Sequence, residues 1–193
     1  MIGLTGGIGM GKSTAAAAFR QAGIPVFDAD RAVHRLQSQG GAAVAPIAAA
    51  FPGTVHAGAV DRNRLRAAVT ADSAAFARLE RIVHPLVRRE EARFLARARR
   101  SGRRLAVLDI PLLLETHGER RVDTVLVVSA PPAIQRARLR LRRRMTDAEA
   151  ATVIARQMPD AEKRRRADIV LRTGLSRHHA QRHLRRLIRT WQS

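Results

Sequence analysis

The sequence predicts an α/β fold in which helices cover both faces of a five-stranded parallel sheet. Short apolar, β-favouring runs alternate with helix-favouring segments along the 193 residues. Each of the last two strand runs leads directly into a helix-start signal. This strand-then-helix order favours parallel strands joined by crossover helices. The predicted strands lie at 1–5, at the end of 23–27, and at 105–110, 122–129 and 168–171.

Helix-start signals support the predicted helices between and after these strands. Pro132 suits the first turn of a helix over 132–142, because proline has no N–H to leave unpaired there. Thr146 and Glu149 have the spacing of a capping box, in which each side chain bonds the backbone N–H of the other residue. Ser176 can cap the last predicted helix.

Two helical segments interrupt the alternation. The segment 31–103, between the second and third strands, is much longer than one crossover requires, and we expect it to be a wholly helical insertion. A helical pair over 132–166 separates the fourth and fifth strands. The predicted core therefore comprises 1–30, 104–131 and 167–193, and the helices of the insertion are predicted at 31–37, 42–50, 62–69 and 73–100.

The composition excludes several classes of protein. The chain has no cysteine, which excludes a disulfide scaffold and a cysteine-ligated metal site. Lys and Arg total 36 against 16 Asp and Glu, for a net charge of +20, so polyanionic partners are expected. No secretory signal or membrane-length apolar run is evident. We therefore expect a cytoplasmic protein without a membrane partner, either a monomer or a weak homo-oligomer.

Residues 6–13, GGIGMGKS, match the phosphate-binding pattern G-x-x-x-x-G-K-[ST] at every fixed position. Glycines let successive backbone N–H groups turn toward phosphates, and the helix that begins near Lys12 points its positive end at the same charge. Lys12 can reach the β- and γ-phosphates, and the Ser13 hydroxyl can ligate Mg²⁺. The predicted ATP-binding residues are Gly7, Ile8, Gly9, Met10, Gly11, Lys12, Ser13 and Thr14.

A small kinase with Mg²⁺ as cofactor is the class that best fits this motif. The guanine-reading pattern Asn-Lys-x-Asp is absent from the sequence, which disfavours a GTPase, and motor or helicase ATPases are larger. A nucleoside or nucleotide kinase is one alternative. A nucleic-acid-binding protein that uses ATP as a switch is another, but aromatic residues are only 3% of the chain. Stacking platforms are therefore scarce, and no specific nucleic-acid partner is expected.

Three aspartates lie at or just after the ends of predicted strands and are candidates to complete the site. Asp28 and Asp30 come after the second strand, and they share one side if that strand extends so far. Asp30 can accept the proton of an acceptor hydroxyl or help to hold Mg²⁺, or it can serve as a helix N-cap. Asp109 ends the third strand, where it can position Mg²⁺ or water or cap the next turn.

Arginine accounts for 34 of the 36 basic residues and is dense in 132–166. Arginines in a kinase lid can close over phosphates and stabilise the charge of the transition state. The arginines of 132–142 cannot all face one site, so for most of them a solvated helix face is expected.

The chain resembles the dephospho-CoA kinase family over nearly its whole length, from residue 3 to about 174. The resemblance rests on the phosphate loop, on Asp28-Ala29-Asp30, on His84-Pro85-Leu86 and on the segment from Asp109 to Glu115. The lid pattern, Gln135, Arg138, Arg142 and Gln157, and the pair Ala167-Asp168 follow in the expected order. Met10 differs from the usual serine of the family, and Arg172-Thr173-Gly174 lacks the usual asparagine.

The resemblance implies ATP-dependent phosphorylation of the ribose 3′-hydroxyl of dephospho-CoA. It also implies the nucleoside-monophosphate-kinase type of P-loop fold, with 31–103 as the acceptor-binding domain and 132–166 as the lid. Asp30 would be the general base and would bind the acceptor, with His84 in the acceptor region. Lys12 and a lid arginine, Arg138 or Arg142, would be catalytic. Ser13 and Asp109 remain the candidate metal ligands.

Overall fold

The chain contains the predicted five-stranded parallel sheet, whose strands lie side by side in the order 26–28, 107–109, 2–5, 124–129 and 169–172. A computed structural model describes residues 1–70, 72–143 and 145–192, with the backbone alone at 142, 143, 177 and 192. The strands are β1 (Ile2–Thr5), β2 (Val26–Asp28), β3 (Val55–His56), β4 (Ala59–Val60), β5 (Val107–Asp109), β6 (Thr124–Ser129) and β7 (Ile169–Arg172). The helices are α1 (Lys12–Gln21), α2 (Ala29–Gln37), α3 (Val44–Ala50), α4 (Arg62–Thr70), α5 (Ser73–Arg100), α6 (Pro132–Arg143), α7 (Asp147–Ala155), α8 (Asp160–Arg165) and α9 (Arg177–Gln192).

Strand β1 occupies the middle of the sheet, and all four of its residues are buried. It pairs in parallel with β5 on one side and with β6 on the other, where Ile2 lies opposite Val107 and Thr124. A strand covered on both faces needs no polar alternation, which explains the short apolar run at the N-terminus. The central position of β1 delivers the loop that follows it to the middle of the carboxyl edge of the sheet.

Strand β6 shows how the sheet separates two apolar layers. Leu126 and Val128 pack into the larger layer, which includes residues of α1 and α9. Val125 and Val127, which point to the opposite face, pack with Leu113 and the neighbouring apolar residues after β5. In the larger layer the rings of Phe19 and Trp191 stack with their centroids 6.2 Å apart and join α1 to α9.

The chain divides into two compact units, Met1–Phe27 with Ala98–Ser193 and Asp28–Arg97. The second unit has its own apolar core, which includes Ile47, Phe51 and Leu65. The prediction of a wholly helical insertion is wrong, because β3 and β4 pair there as a short antiparallel hairpin. Its two-residue strands are too short to show a periodic pattern. The turn between them is formed by Ala57 and Gly58, at φ 46° and 74°, the backbone that tight hairpin turns require.

The segment 132–166 holds three helices rather than the predicted pair. The capping box of Thr146 and Glu149 is confirmed at the start of α7, and hydrogen bonds from the Thr146 backbone and hydroxyl hold the pKa of Glu149 below its usual value. A third helix, α8, follows, and its C-cap residue Arg166 forms an ion pair with Glu119. Burial acts to raise the pKa of Glu119. Its own backbone N–H and Arg166 act in the opposite direction and outweigh burial, so the pKa lies below its usual value.

The longest helix, α5, has the predicted bounds and contains Pro85 within its length. Charged residues such as Glu80 and Arg88 recur along it. No helix in the described part of the chain is both long enough and apolar enough to cross a membrane.

We predict that Leu126→Ala destabilises the fold by about 2–5 kcal/mol, because the side chain is fully buried in the central sheet and its loss leaves a cavity. Leu141→Ala makes the same chemical change on α6, where the side chain is 83% exposed, and should alter stability by less than about 0.5 kcal/mol. Urea unfolding of both variants measures the difference. Equal effects would contradict the described core.

Candidate functional site

The loop between β1 and α1 requires glycine where its backbone approaches the sheet. Gly6 has φ +152°, and a Cβ atom there would lie 2.5 Å from the carbonyl oxygen of Val128. Gly11 has φ +99° and immediately precedes α1 in the left-handed conformation. A larger residue at Gly6 would push the loop away from β6, so the glycines of the motif are explained by close approach and by backbone conformation.

The predicted nucleotide-binding residues lie together in this loop and in the first turn of α1. The loop is closed by a hydrogen bond from the Met10 N–H to the carbonyl oxygen of Gly7, 3.2 Å long. The helix begins with the Thr14 N–H bonded to the Gly11 carbonyl oxygen at 3.0 Å. Ser13 is exposed in that first turn. The positive end of α1 therefore coincides with the loop, as an anion-binding site requires.

Lys12 is held in place by an ion pair with Asp109 at the end of β5. The Lys12 ammonium donates to Oδ1 of Asp109, and the two side chains are only 18% and 6% exposed. An ammonium group has three donors, so Lys12 can keep this bond and still bind a phosphate oxygen. The pair thus orients the lysine beside the loop before any anion is bound.

Arg138 of α6 binds the outer side of the loop. Its Nη1 donates to the carbonyl oxygens of Gly9 and Met10, both at 3.3 Å, and to Oγ1 of Thr173 at 2.9 Å. Its Nη2 donates to the carbonyl oxygen of Thr173 at 2.6 Å. One guanidinium therefore connects α6, the loop and the residue that follows β7.

The two departures from the family pattern, Met10 and Thr173, lie against each other. The Thr173 hydroxyl donates to the carbonyl oxygen of Met10 at 2.6 Å while it accepts from Arg138. The Met10 side chain is buried, and its sulfur accepts from the Ala130 N–H at 3.0 Å. Sequence reasoning named Thr173 only for the missing asparagine. The structural role of Thr173 could not be read from the local pattern, because Arg138 lies 35 residues away and Met10 lies 163 residues away in the sequence.

Two glutamines bind both backbone polar groups of Ile8. Gln157, just after α7, accepts from the Ile8 N–H through Oε1 at 2.9 Å. Gln135, in α6, donates from Nε2 to the Ile8 carbonyl oxygen at 2.8 Å. Both residues matched the family pattern without an assigned role. The structure places them on the same loop residue.

A second buried ion pair stabilises the same region. Lys163 of α8 is fully buried, and its ammonium lies 2.7 Å from Oε1 of Glu115. The same carboxylate oxygen accepts from the Met158 N–H at 3.2 Å. A buried ion pair is costly to break because the partner charge is left uncompensated. Sequence reasoning missed this pair, although the rarity of lysine in the chain singled out Lys163.

The structure corrects one detail of the Asp28-Ala29-Asp30 prediction. Strand β2 ends at Asp28, which is the N-cap of α2 and accepts from the Arg31 N–H at 3.0 Å. Asp28 has the extended backbone of an N-cap, so α2 begins at Ala29 and Asp30 lies in the first helical turn rather than at the cap. The side chain of Asp30 is exposed.

The other predicted residues lie farther along the chain. His84 is exposed on α5, and its Nε2 is 3.8 Å from Oε1 of Glu80. The backbone of Arg142 belongs to α6, but its side chain lies outside the described residues.

The candidate metal ligands are compatible with Mg²⁺ bound together with a nucleotide. Ser13 offers an exposed hydroxyl, and Asp109 offers a carboxylate beside the loop. Mg²⁺ commonly uses one or two protein oxygens and completes its shell with water and phosphate oxygens. Among the residues that the structure describes, no group of three or more His, Asp or Glu side chains is placed to hold a metal ion.

Comparisons with known proteins point to one family. A model of the dephospho-CoA kinase family matches residues 1–177. The dephospho-CoA kinase of Paramagnetospirillum magneticum is 60% identical over 164 residues, which are 85% of this chain and 77% of the relative. A crystal structure from Thermus thermophilus has a TM-score of 0.84 at 35% identity and covers 98% of this chain and 96% of that chain. The dephospho-CoA kinase of Campylobacter jejuni has a TM-score of 0.73 at 20% identity, over 97% of this chain and 94% of that chain, and shares the fold.

We predict that Thr173→Val destabilises the fold by about 1–3 kcal/mol, because it removes the buried hydrogen bond to the Met10 carbonyl oxygen and the acceptor that Oγ1 offers to Arg138. Thr152→Val is the matched control, since the exposed Thr152 hydroxyl donates within its own helix and water can replace that bond. Chemical unfolding compares the two variants. A cost at Thr173 no larger than that at Thr152 would contradict the described network.

Proposed function

The chain belongs to the dephospho-CoA kinase family, as its sequence resemblance predicts, and we propose that it transfers the γ-phosphoryl group of ATP to the ribose 3′-hydroxyl of dephospho-CoA. The products are CoA and ADP. The observation that carries this proposal is the family match over residues 1–177, which includes an intact phosphate loop with Lys12 beside it.

The loop and Lys12 bind the triphosphate in this proposal. Phosphoryl transfer is catalysed mainly by positioning and by stabilisation of charge. The backbone N–H groups of the loop that face the phosphates and the positive end of α1 supply partial positive charge, and Lys12 supplies a full one. Because Asp109 already orients Lys12, little side-chain freedom is lost when the ammonium binds the β- and γ-phosphates.

Arg138 supports the same phosphates from behind the loop. Its bonds to the carbonyl oxygens of Gly9 and Met10 direct these negative dipole ends toward a cation rather than toward the nucleotide. Its charge also adds to the positive potential of the loop. We assign to Arg142 the second catalytic role of a lid arginine, and to 132–166 the role of the lid.

Asp30 is the general base in this proposal. An exposed carboxylate in the first turn of α2, directly after a parallel strand, can accept the proton of the 3′-hydroxyl as that oxygen attacks the γ-phosphorus. The bond from the γ-phosphorus to the β–γ bridging oxygen breaks, and ADP leaves. Residues 31–103, with His84, bind the acceptor.

Ser13 and Asp109 would hold Mg²⁺ together with the nucleotide. When bound, the ion neutralises charge on the β- and γ-phosphate oxygens. The hydroxyl and the carboxylate are oxygen ligands of the kind that Mg²⁺ prefers.

We predict that the purified chain releases ADP from MgATP at least about 10-fold faster with dephospho-CoA than with any nucleoside monophosphate or nucleoside. The family match supports this acceptor, and differential binding of the correct acceptor should appear in kcat/KM. A coupled ADP-release assay over this panel, with CoA identified by mass, measures it. Faster turnover with a nucleoside monophosphate would overturn the proposed acceptor.

We predict that Asp30→Asn lowers kcat by about 10²-fold or more with a small change in the affinity for ATP, because the amide cannot accept the proton. Asp61→Asn is the matched control. Asp61 is another carboxylate at a helix start, with bonds from the Asn63 and Arg64 N–H groups. Steady-state kinetics and ATP titration separate the two effects. Unchanged turnover in Asp30→Asn would leave Asp30 without a catalytic role.

A further inference from the structure

We propose that Gln135 and Gln157 are positioning residues that set the conformation of the phosphate loop for phosphoryl transfer by holding the two peptide groups of Ile8. This inference rests on the proposed function. Gln157 accepts from the N–H of Ile8 at 2.9 Å, and Gln135 donates to its carbonyl oxygen at 2.8 Å. The N–H belongs to the peptide between Gly7 and Ile8, and the carbonyl belongs to the next peptide.

One glutamine accepts a hydrogen bond and the other donates one, and this opposite polarity determines which side chains can replace each glutamine. At position 157 the side chain must present an acceptor, and at position 135 it must present a donor. The amide group of glutamine supplies both, so the same residue type satisfies two opposite requirements. Holding two consecutive peptides leaves the loop little freedom before Gly9, where the backbone enters the left-handed region at φ +76°.

The peptide groups of Ile8 need hydrogen-bond partners from outside the loop, because the loop itself does not supply them. Met10 bonds back to Gly7, but the groups of Ile8 are bonded by the lid segment. Gln135 is in α6 and Gln157 follows α7, so two separate parts of the lid segment bind the same loop residue. A displacement of about 1 Å at a reacting phosphate can cost about 10²-fold in rate.

Gln157 is itself held by the buried ion pair described above. The N–H of the next residue, Met158, donates to Oε1 of Glu115 at 3.2 Å, and Lys163 pairs with the same oxygen at 2.7 Å. Lys163 also lies 3.4 Å from the carbonyl oxygen of Pro111. This arrangement fixes the backbone at Gln157, so that its side chain meets Ile8 without a large loss of freedom.

The test is a crossed set of substitutions at the two positions. Gln135→Lys and Gln157→Glu keep the required polarity, whereas Gln135→Glu and Gln157→Lys reverse it. We expect kcat/KM for ATP to be about 10-fold higher for lysine than for glutamate at position 135, and about 10-fold higher for glutamate than for lysine at position 157. Gln21→Glu and Gln21→Lys, at the exposed far end of α1, are controls and should match the unmodified chain.

The crossed design separates hydrogen-bond polarity from simple charge. Attraction to the triphosphate favours lysine at both positions, so a lysine advantage at position 157 would overturn the proposal. Four variants that match the Gln21 controls would overturn it as well. Gln135 is buried, so thermal unfolding identifies a variant that fails to fold. The glutamate-to-lysine comparison at the half-buried Gln157 then decides the outcome.

Titration with a fluorescent ATP analogue makes the result independent of the acceptor. Weaker binding in Gln157→Lys than in Gln157→Glu supports the positioning role even if dephospho-CoA is not phosphorylated. Lack of turnover by the unmodified chain with dephospho-CoA would contradict the proposed function alone. Equal ATP binding by the two variants at position 157, together with equal kcat/KM, would contradict the positioning role alone.

Discussion

The candidate site depends on the hydrogen bonds that other segments of the chain make to the peptide groups on the outer side of the phosphate loop. Residues 6–11 turn sharply between a buried strand and a helix, so few of their peptide groups can pair within regular structure. Gln135, Gln157, Arg138 and Thr173 supply the missing partners. The proposed function assigns the peptide groups on the opposite side of the loop to the nucleotide.

The two lysines of the chain each form a shielded ion pair with a carboxylate at or soon after the end of β5. In a sequence with 34 arginines, Lys12 pairs with Asp109 and Lys163 pairs with Glu115, so both bind the stretch that begins at the end of β5. Both are strongly shielded from solvent. Each ammonium is a compact point charge with three donors. Both lysines of this arginine-rich chain thus lie in shielded ion pairs rather than on solvated helix faces.

The arginines that give the chain its high net charge fall into two groups, those bonded within the protein and those exposed on helix faces. Arg138 is bound on the outer side of the loop and Arg166 forms an ion pair with Glu119, whereas many others, such as Arg136 and Arg140, are exposed on helix faces. Exposed charges contribute little individually because water and salt screen them. Charge density along the sequence indicated a polyanionic ligand, but the individual contacts distinguish the arginines that hold the site.

The sequence alone determined the parallel α/β fold, the phosphate loop and the family, because apolar periodicity and the spacing of glycines, Lys12 and Ser13 are local properties of the chain. Local patterns did not reveal the short hairpin at 55–60. Local patterns also did not distinguish Asp28 from Asp30 as the N-cap of α2, because this depends on the residue at which β2 ends. Only the tertiary structure brought Gln135, Gln157 and Thr173 to the loop, because these hydrogen bonds join residues more than a hundred positions apart. No pattern within a short window specifies such contacts, which depend on how the sheet orders its strands.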